Sequence, residues 1–282
     1  MGELKQSLAL GIALASWATA AAEEKTAGAD LKIVSEVAAL QPGVPFTIAL
    51  HIHHHPGFHT YWKNEGIVGV PTSIDWMLPK GFKAGPIQWP APEVVEMATH
   101  PAHGYHRDVL LLVEITPPDQ IAAESVILQG ELTWMACSKT CHPGFGTRRI
   151  TLPVNRDREV RHDARWAAEI AKERRNFPAP TDLWAVIIES KRDASPIRVR
   201  LRPAKDSAGD PGRIYFFSED GQISSEPPQI AKRQTDGSYL IVAERSEFGP
   251  EKRDTLPGTL VASGSWIASG KLPAIRARPR YP

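Results

Sequence analysis

Over much of this 282-residue chain apolar residues recur at every second position. In FTIALHIH, Phe46, Ile48, Leu50 and Ile52 alternate with Thr47, Ala49, His51 and His53, the period of a strand with one apolar face. SIDWML repeats the pattern through Ile74, Trp76 and Leu78. SVILQGELTWMAC places Val126, Leu128, Leu132, Trp134 and Ala136 on one face and leaves Cys137 on the other, at the strand's end. RITLPV follows as a short strand. The alternation returns late in PIRVRLRP, where Ile197, Val199 and Leu201 face away from Arg198, Arg200 and Arg202, an arginine row that reads as a solvated sheet face. RIYFFSEDGQI and QTDGSYLIV carry Asp-Gly turn signals at 220–221 and 236–237, and GTLVASGSWIASG reads as a last strand.

One segment departs from this period. DREVRHDARWAAEIAKERRNFPAP sets Val160, Ala164, Ala167 and Ala171 on one helical stripe, with Trp166 and Ile170 beside it, before Pro178 and Pro180 end it. Short strands separated by Pro-Gly turns, interrupted once by a helix, predict an all-β chain of two immunoglobulin-like antiparallel β-sandwich domains. The expected division is 23–156 for the first sandwich, 157–180 for a helical connector and 181–282 for the second. About 260 residues suit two domains of ordinary size.

Residues 1–22 have the layout of a signal peptide: Lys5, an apolar run from Leu8 to Trp17, then small residues with cleavage sites at Ala18-Thr19-Ala20 or Ala20-Ala21-Ala22. VLLLVEI, Val109 to Ile115, is strand length and contains a glutamate, far from the ~20 apolar residues a spanning helix needs. The mature protein is therefore expected to be soluble and exported, periplasmic or otherwise outside the reducing cytosol. A formal net charge of +1 argues against nucleic acid as a partner.

Chemistry concentrates in WMACSKTCHPGFG, which holds the only two cysteines, Cys137 and Cys141, four apart. Three readings compete. As a staple, so short a closed loop is worth about 2 kcal/mol, against about 4.7 for a 100-residue loop. In an extended strand residues four apart lie roughly 13 Å from each other, beyond the 4.4–6.8 Å that a disulfide allows, so the chain must bend here. As metal ligands, the thiolates have nine of the ten histidines between His51 and His142 to join them, which suits copper(I) or zinc, yet Cys-x3-Cys-His has no matching second pair. As an exchanging dithiol, the pair needs an exposed sulfur with an accessible thiolate. A cysteine at a strand end facing away from the core meets that condition, and Lys139 and His142 are the nearby groups that favour a thiolate.

GFHTYWKNEGIVGVPTSIDWMLPKGFKAGPIQWPAPE, GYHRDVLLLVEITPP and LTWMACSKTCHPG together resemble the N-terminal periplasmic domain of the thiol:disulfide interchange protein DsbD. The similarity is greatest to the ScsB-like branch, associated with copper tolerance, and IYFFSEDGQISSEPPQ resembles that branch's second sandwich. The resemblance implies an immunoglobulin-like domain whose cysteine pair takes electrons from a thioredoxin-like redox protein or membrane electron carrier. It passes them to exported disulfide-containing proteins, with no organic cofactor. By position the catalytic pair is Cys137 and Cys141, with Cys141 as the attacking thiol. The family's cap loop falls on Glu96 to His103, where Met97, His100 and His103 stand in place of the aromatic residues of well-known members. The aromatic pair beneath the sulfurs falls on His59 and Tyr61. Family members usually continue into a membrane-embedded carrier and a thioredoxin-like domain, so the expectation here is a separate protein as reductant, a full system encoded elsewhere, or a repurposed domain. The alternative of another class is a metal-handling protein using His and Cys ligands.

Overall fold

The computed structural model describes residues 28–157, 159–180 and 182–282; the expected signal peptide, residues 1–22, lies outside them. They are nearly all β, with one α-helix.

Two sheets build the first half. A four-stranded sheet runs in the order Ala29–Ser35, Phe46–His54, Val109–Thr116, Lys83–Ala84. A six-stranded sheet runs Cys141–Pro153, Ser125–Cys137, His59–Gly66, His100–Tyr105, Glu93–Met97, with Ser73–Met77 paired to Ser125–Cys137. The residues that the period-2 pattern selects close one cluster between them: Ile48, Leu50 and Ile52 from one sheet meet Leu128, Leu132 and Trp134 from the other. Each such side chain, fully buried, contributes about 1.5–3 kcal/mol.

The stretch predicted as a short strand at 149–154 is longer. Cys141–Pro153 pairs along its whole length with Ser125–Cys137, so that HPGFG is strand rather than turn. The bend lies in Ser138-Lys139-Thr140, where the Ser138 amide donates to the Thr140 carbonyl at 3.1 Å.

The helix is Trp166–Arg174, shorter than its predicted segment, and it is docked rather than merely linking. Ile170 is fully buried with Val34, Ala49, Leu110 and Leu112 on the outer face of the four-stranded sheet, with Trp166 and Phe177 against them. The predicted stripe of Val160, Ala164 and Ala171 is exposed. Anchoring side chains select the face instead. Arg107 makes a two-pronged pair with Glu173 (2.6 and 3.0 Å), as Arg174 does with Glu36 (2.5 and 2.9 Å).

In the second half, Ala179–Pro180, Ala274–Ala277, Gly258–Ala262 and Ile214–Ser218 form one sheet, and Trp184–Ile188, Ile197–Pro203, Tyr239–Ala243 and Ile230–Arg233 form another. They enclose their own cluster around Trp184, Val199, Leu201, Phe216, Ile241, Leu260 and Trp266. The strand Ile214–Ser218 is apolar on both faces for a reason. Ile214 and Phe216 point into this cluster, while Phe217 belongs to the first half's cluster and Tyr215 packs against it. Strand alternation thus lets one segment serve two cores.

Candidate functional site

The long hairpin ends at the cysteines. Cys137 and Cys141 are register partners with Cα atoms 4.2 Å apart, joined by a disulfide. On the other side of Ser125–Cys137 lies His59–Gly66, paired as Ala136↔Thr60 and Cys137↔His59. The two sulfurs are not equivalent. Cys137 is completely buried, clustered with Tyr61, Val95 and Ala102, with Val68, Met97 and Met135 packed on them. Cys141 is exposed. This corrects the expectation that Cys137 supplies the open sulfur. Its side chain does leave the main core face, but the opposite face of the sheet is covered as well.

The cover is a hairpin. Residues 96–103, expected as a loop, belong to the paired strands Glu93–Met97 and His100–Tyr105, in register from Glu93↔Gly104 to Met97↔His100. The tight turn puts Ala98 at φ 56°, a conformation ordinarily left to glycine. Met97 packs against the Cys137 cluster. His100 and His103 do not, which departs from their expected role as shields. His100 is exposed and pairs with Glu226 at 3.1 Å. His103, completely buried, donates from Nδ1 to the Asn64 carbonyl (3.1 Å), leaving Nε2 to accept from the Tyr215 hydroxyl (3.2 Å). Its ring packs on Phe217 and Trp62, with centroids 4.9 and 6.5 Å away. The reason is again alternation, since Ala102 takes the side toward Cys137 and its neighbour must take the other.

His59 and Tyr61 form the wall beneath the sulfurs, their rings 5.2 Å apart at a near-perpendicular angle. The Tyr61 hydroxyl is 3.8 Å from Cys141 Sγ. Burial, then the nearby Glu65 carboxylate, pushes its pKa up to about 12, so it remains a donor at neutral pH. Gly69 makes room for it: at φ +116° it lies where a Cβ would sit 2.3 Å from the ring. His59 is buried, its pKa lowered to about 4 by burial and then by His106, whose ring is 5.4 Å away. In the turn, His142 Nε2 bonds the Thr140 hydroxyl (2.8 Å) and its ring meets Phe58 at 5.7 Å, while Lys139 is exposed.

Of the remaining histidines, His53 pairs with Asp108 (2.8 Å), which His51 also approaches (3.9 Å), His55 pairs with Asp30 (3.3 Å), and buried His54 bonds the Thr60 hydroxyl (2.9 Å). Among the described residues no group of three or more His, Cys, Asp or Glu side chains is placed to hold a metal ion. What the arrangement can do is covalent sulfur chemistry: an incoming thiolate reaches exposed Cys141, and buried Cys137 is the leaving sulfur.

Sequence reasoning missed the contacts from the second half. The Ser225 hydroxyl donates to the Pro101 carbonyl (2.7 Å) and accepts from the Ile67 amide (3.1 Å), and Lys63 pairs with Glu219 at 3.0 Å. The signal was IYFF, four apolar residues without the polar alternation of a strand with a solvated face.

Residues 30–153 match the family model described as thiol:disulfide interchange protein DsbD, N-terminal, a span that ends with the strand Cys141–Pro153. The crystal structure of the N-terminal periplasmic domain of ScsB from Proteus mirabilis superimposes with a TM-score of 0.59 at 17% identity, covering 86% of this chain and 91% of that one, which shows a shared fold. The titin domains z1z2, solved in complex with telethonin, give a TM-score of 0.20 at 12% identity, covering 92% of this chain and 98% of that one. No curated protein sequence matches this chain.

Proposed function

We propose that this protein, whose residues 30–153 match the family model of the DsbD N-terminal domain, is an exported thiol–disulfide exchange module, a disulfide reductase or electron relay. The observation that carries the reading is the asymmetry of the pair: one cysteine exposed at a hairpin tip, the other sealed beneath Met97, Val95 and Ala102. A staple has no use for that difference. An exchanger does, because attack must begin at one sulfur and the partner's disulfide must then be resolved by the other.

In the reducing direction, the Cys141 thiolate attacks a partner's disulfide and forms a mixed disulfide. Cys137 then attacks Cys141, releasing the partner's thiol and closing Cys137–Cys141. The neutral Tyr61 hydroxyl supports the Cys141 thiolate by donating to it. A thioredoxin-like protein or membrane carrier returns the electrons, and exported disulfide proteins receive them. The two pairs of sheets are two immunoglobulin-like sandwiches joined through the helical segment, the second taking in the strand Ala179–Pro180 from the expected connector 157–180. Residues 1–22 are the signal peptide that delivers the protein to the periplasm, where a link to copper tolerance follows the ScsB-like branch.

A redox titration of the mature protein, with thiols trapped and counted by mass, tests this. A reversible two-electron transition between roughly −120 and −270 mV is expected, whereas a pair still oxidised below about −300 mV is a structural bond and ends the proposal. Cys137→Ser is expected to hold a stable mixed disulfide through Cys141.

A further inference from the structure

His59 is enclosed in the wall of the site with one nitrogen unused. Its relative exposure is 1%, and Nε2 is buried without a hydrogen-bond partner. A buried polar atom left unpaired is unfavourable, so a partner is expected in some state of the protein. Directly across the strand pair, as register partner, is Cys137. Opposed residues of antiparallel strands share a face, with Cβ atoms about 4.5–5.5 Å apart. In the disulfide form the Cys137 sulfur carries no hydrogen and can offer none. In the dithiol form it carries one.

We infer that His59 accepts the proton of the Cys137 thiol, which makes Cys137 the resolving cysteine of the exchange reaction proposed above, on which this inference rests. Once Cys141 is bonded to a partner's sulfur, the Cys137 proton passes to His59 Nε2 and the freed sulfur attacks Cys141 Sγ. The Cys137–Cys141 bond forms as the Cys141–partner bond breaks. The electron pair of the broken bond leaves on the partner's sulfur, which takes up a proton from His59 or water. The cysteine pair loses two electrons and the partner gains two.

The surroundings suit this step. Burial keeps the imidazole neutral at physiological pH in the disulfide form, so its lone pair is free. A Cys137 thiolate beside it supplies the opposite charge that favours the imidazolium, as in other Cys–His pairs. The other titratable groups around His59 are Tyr61 on its own strand, His54 on the neighbouring sheet, and His106, which pairs with Glu93 at 3.5 Å. His106 is exposed and is the natural exit for the proton.

The test is stopped-flow reaction of the fully reduced protein with 5,5′-dithiobis(2-nitrobenzoate) from pH 5.5 to 8.5. Attack by Cys141 releases one thionitrobenzoate and closure by Cys137 releases a second. In His59→Phe, which keeps ring volume, the first phase is expected to hold its rate. The second slows by about tenfold or more near pH 6.5 and rises in proportion to hydroxide. His59→Gln removes the base without removing polarity and gives the same result, so the test survives if one variant does not fold. A second phase with wild-type rate and pH profile in either folded variant overturns the role of His59 and leaves the exchange function standing. A wild-type protein that never releases the second equivalent overturns both.

Discussion

Nine of the ten histidines and both cysteines lie between His51 and His142, in the first pair of sheets and its connections, while the second pair, from Ala179 onward, contains neither residue type. Both pairs enclose comparable apolar clusters, one around Trp62 and Trp134, the other around Trp184 and Trp266. They differ in what polar matter they bury. The second half buries Ser218, Gln222, Ser225 and Ser238, uncharged at any ordinary pH, and each finds a hydrogen-bond partner. The first half buries His54, His59 and His103, all with pKa values lowered to about 4 by burial, and leaves nitrogens of His54 and His59 unpaired. The second half leaves buried atoms unpaired too, Trp266 Nε1 and Arg245 Nη1, but neither belongs to a group that titrates near neutral pH. Unsatisfied, titratable groups gathered near a disulfide are the mark of a site that works.

The halves are joined where the chemistry is covered, and this is the first place to break the comparison. Phe217 comes from the second half, is 1% exposed, and sits in the first half's core against Trp62 and His103. Phe217→Ala is expected to cost about 3–5 kcal/mol in denaturant unfolding. It should also quicken reduction of Cys137–Cys141 by dithiothreitol, because His103 lies in the hairpin that covers Cys137. A variant as stable as wild type, with an equally slow disulfide, would mean that the halves are energetically independent.

Acid sharpens the comparison next. His103 has its folded pKa near 4, below the ~6.5 of an unfolded histidine, so the unfolded chain binds more protons between those values. Its contribution is complete above about pH 6.5 and is lost as pH falls toward 4. At pH 5 the loss from His103 is about 2 kcal/mol. Thermal or denaturant unfolding at pH 7 and pH 5 should show the wild type losing more than His103→Gln by about that amount. Hydrogen exchange should place the loss in the first half and spare the histidine-free second half.

The smallest effect belongs to Ser225, whose hydroxyl ties Pro101 and Ile67 to the second half. Ser225→Ala should cost about 1 kcal/mol. Exchange of the amides in Glu93–Met97 and His100–Tyr105 should rise severalfold while the second-half core stays protected.

Much of this was legible in the letters. The alternation of Phe46, Ile48, Leu50 and Ile52, and of Val126, Leu128, Leu132, Trp134 and Ala136, marks the residues that are buried, because a strand that closes a core has only one way to hide its apolar side chains. The cysteine pair stood out by being the only one, and the Trp-rich segment with it was enough to point to the DsbD N-terminal family. The helix was legible as a helix, though not by its buried face. Its hydrophobic stripe is weak, and the ion pairs of Glu173 and Arg174 with distant residues decide the orientation.

Tertiary structure alone decided which sulfur is open. The letters put Cys137 on the face away from the core, and a period of two says nothing about whether that face meets water. The hairpin 93–105 covers it, and that hairpin is held from behind by Tyr215, Phe217 and Ser225, more than a hundred residues away. The same holds for His100 and His103, which read as part of a cap and instead bind the second half. Local pattern fixes which side of a strand is apolar, since that depends on neighbours one and two residues off. Exposure of a reactive atom depends on what packs above it, and here that comes from the far end of the chain.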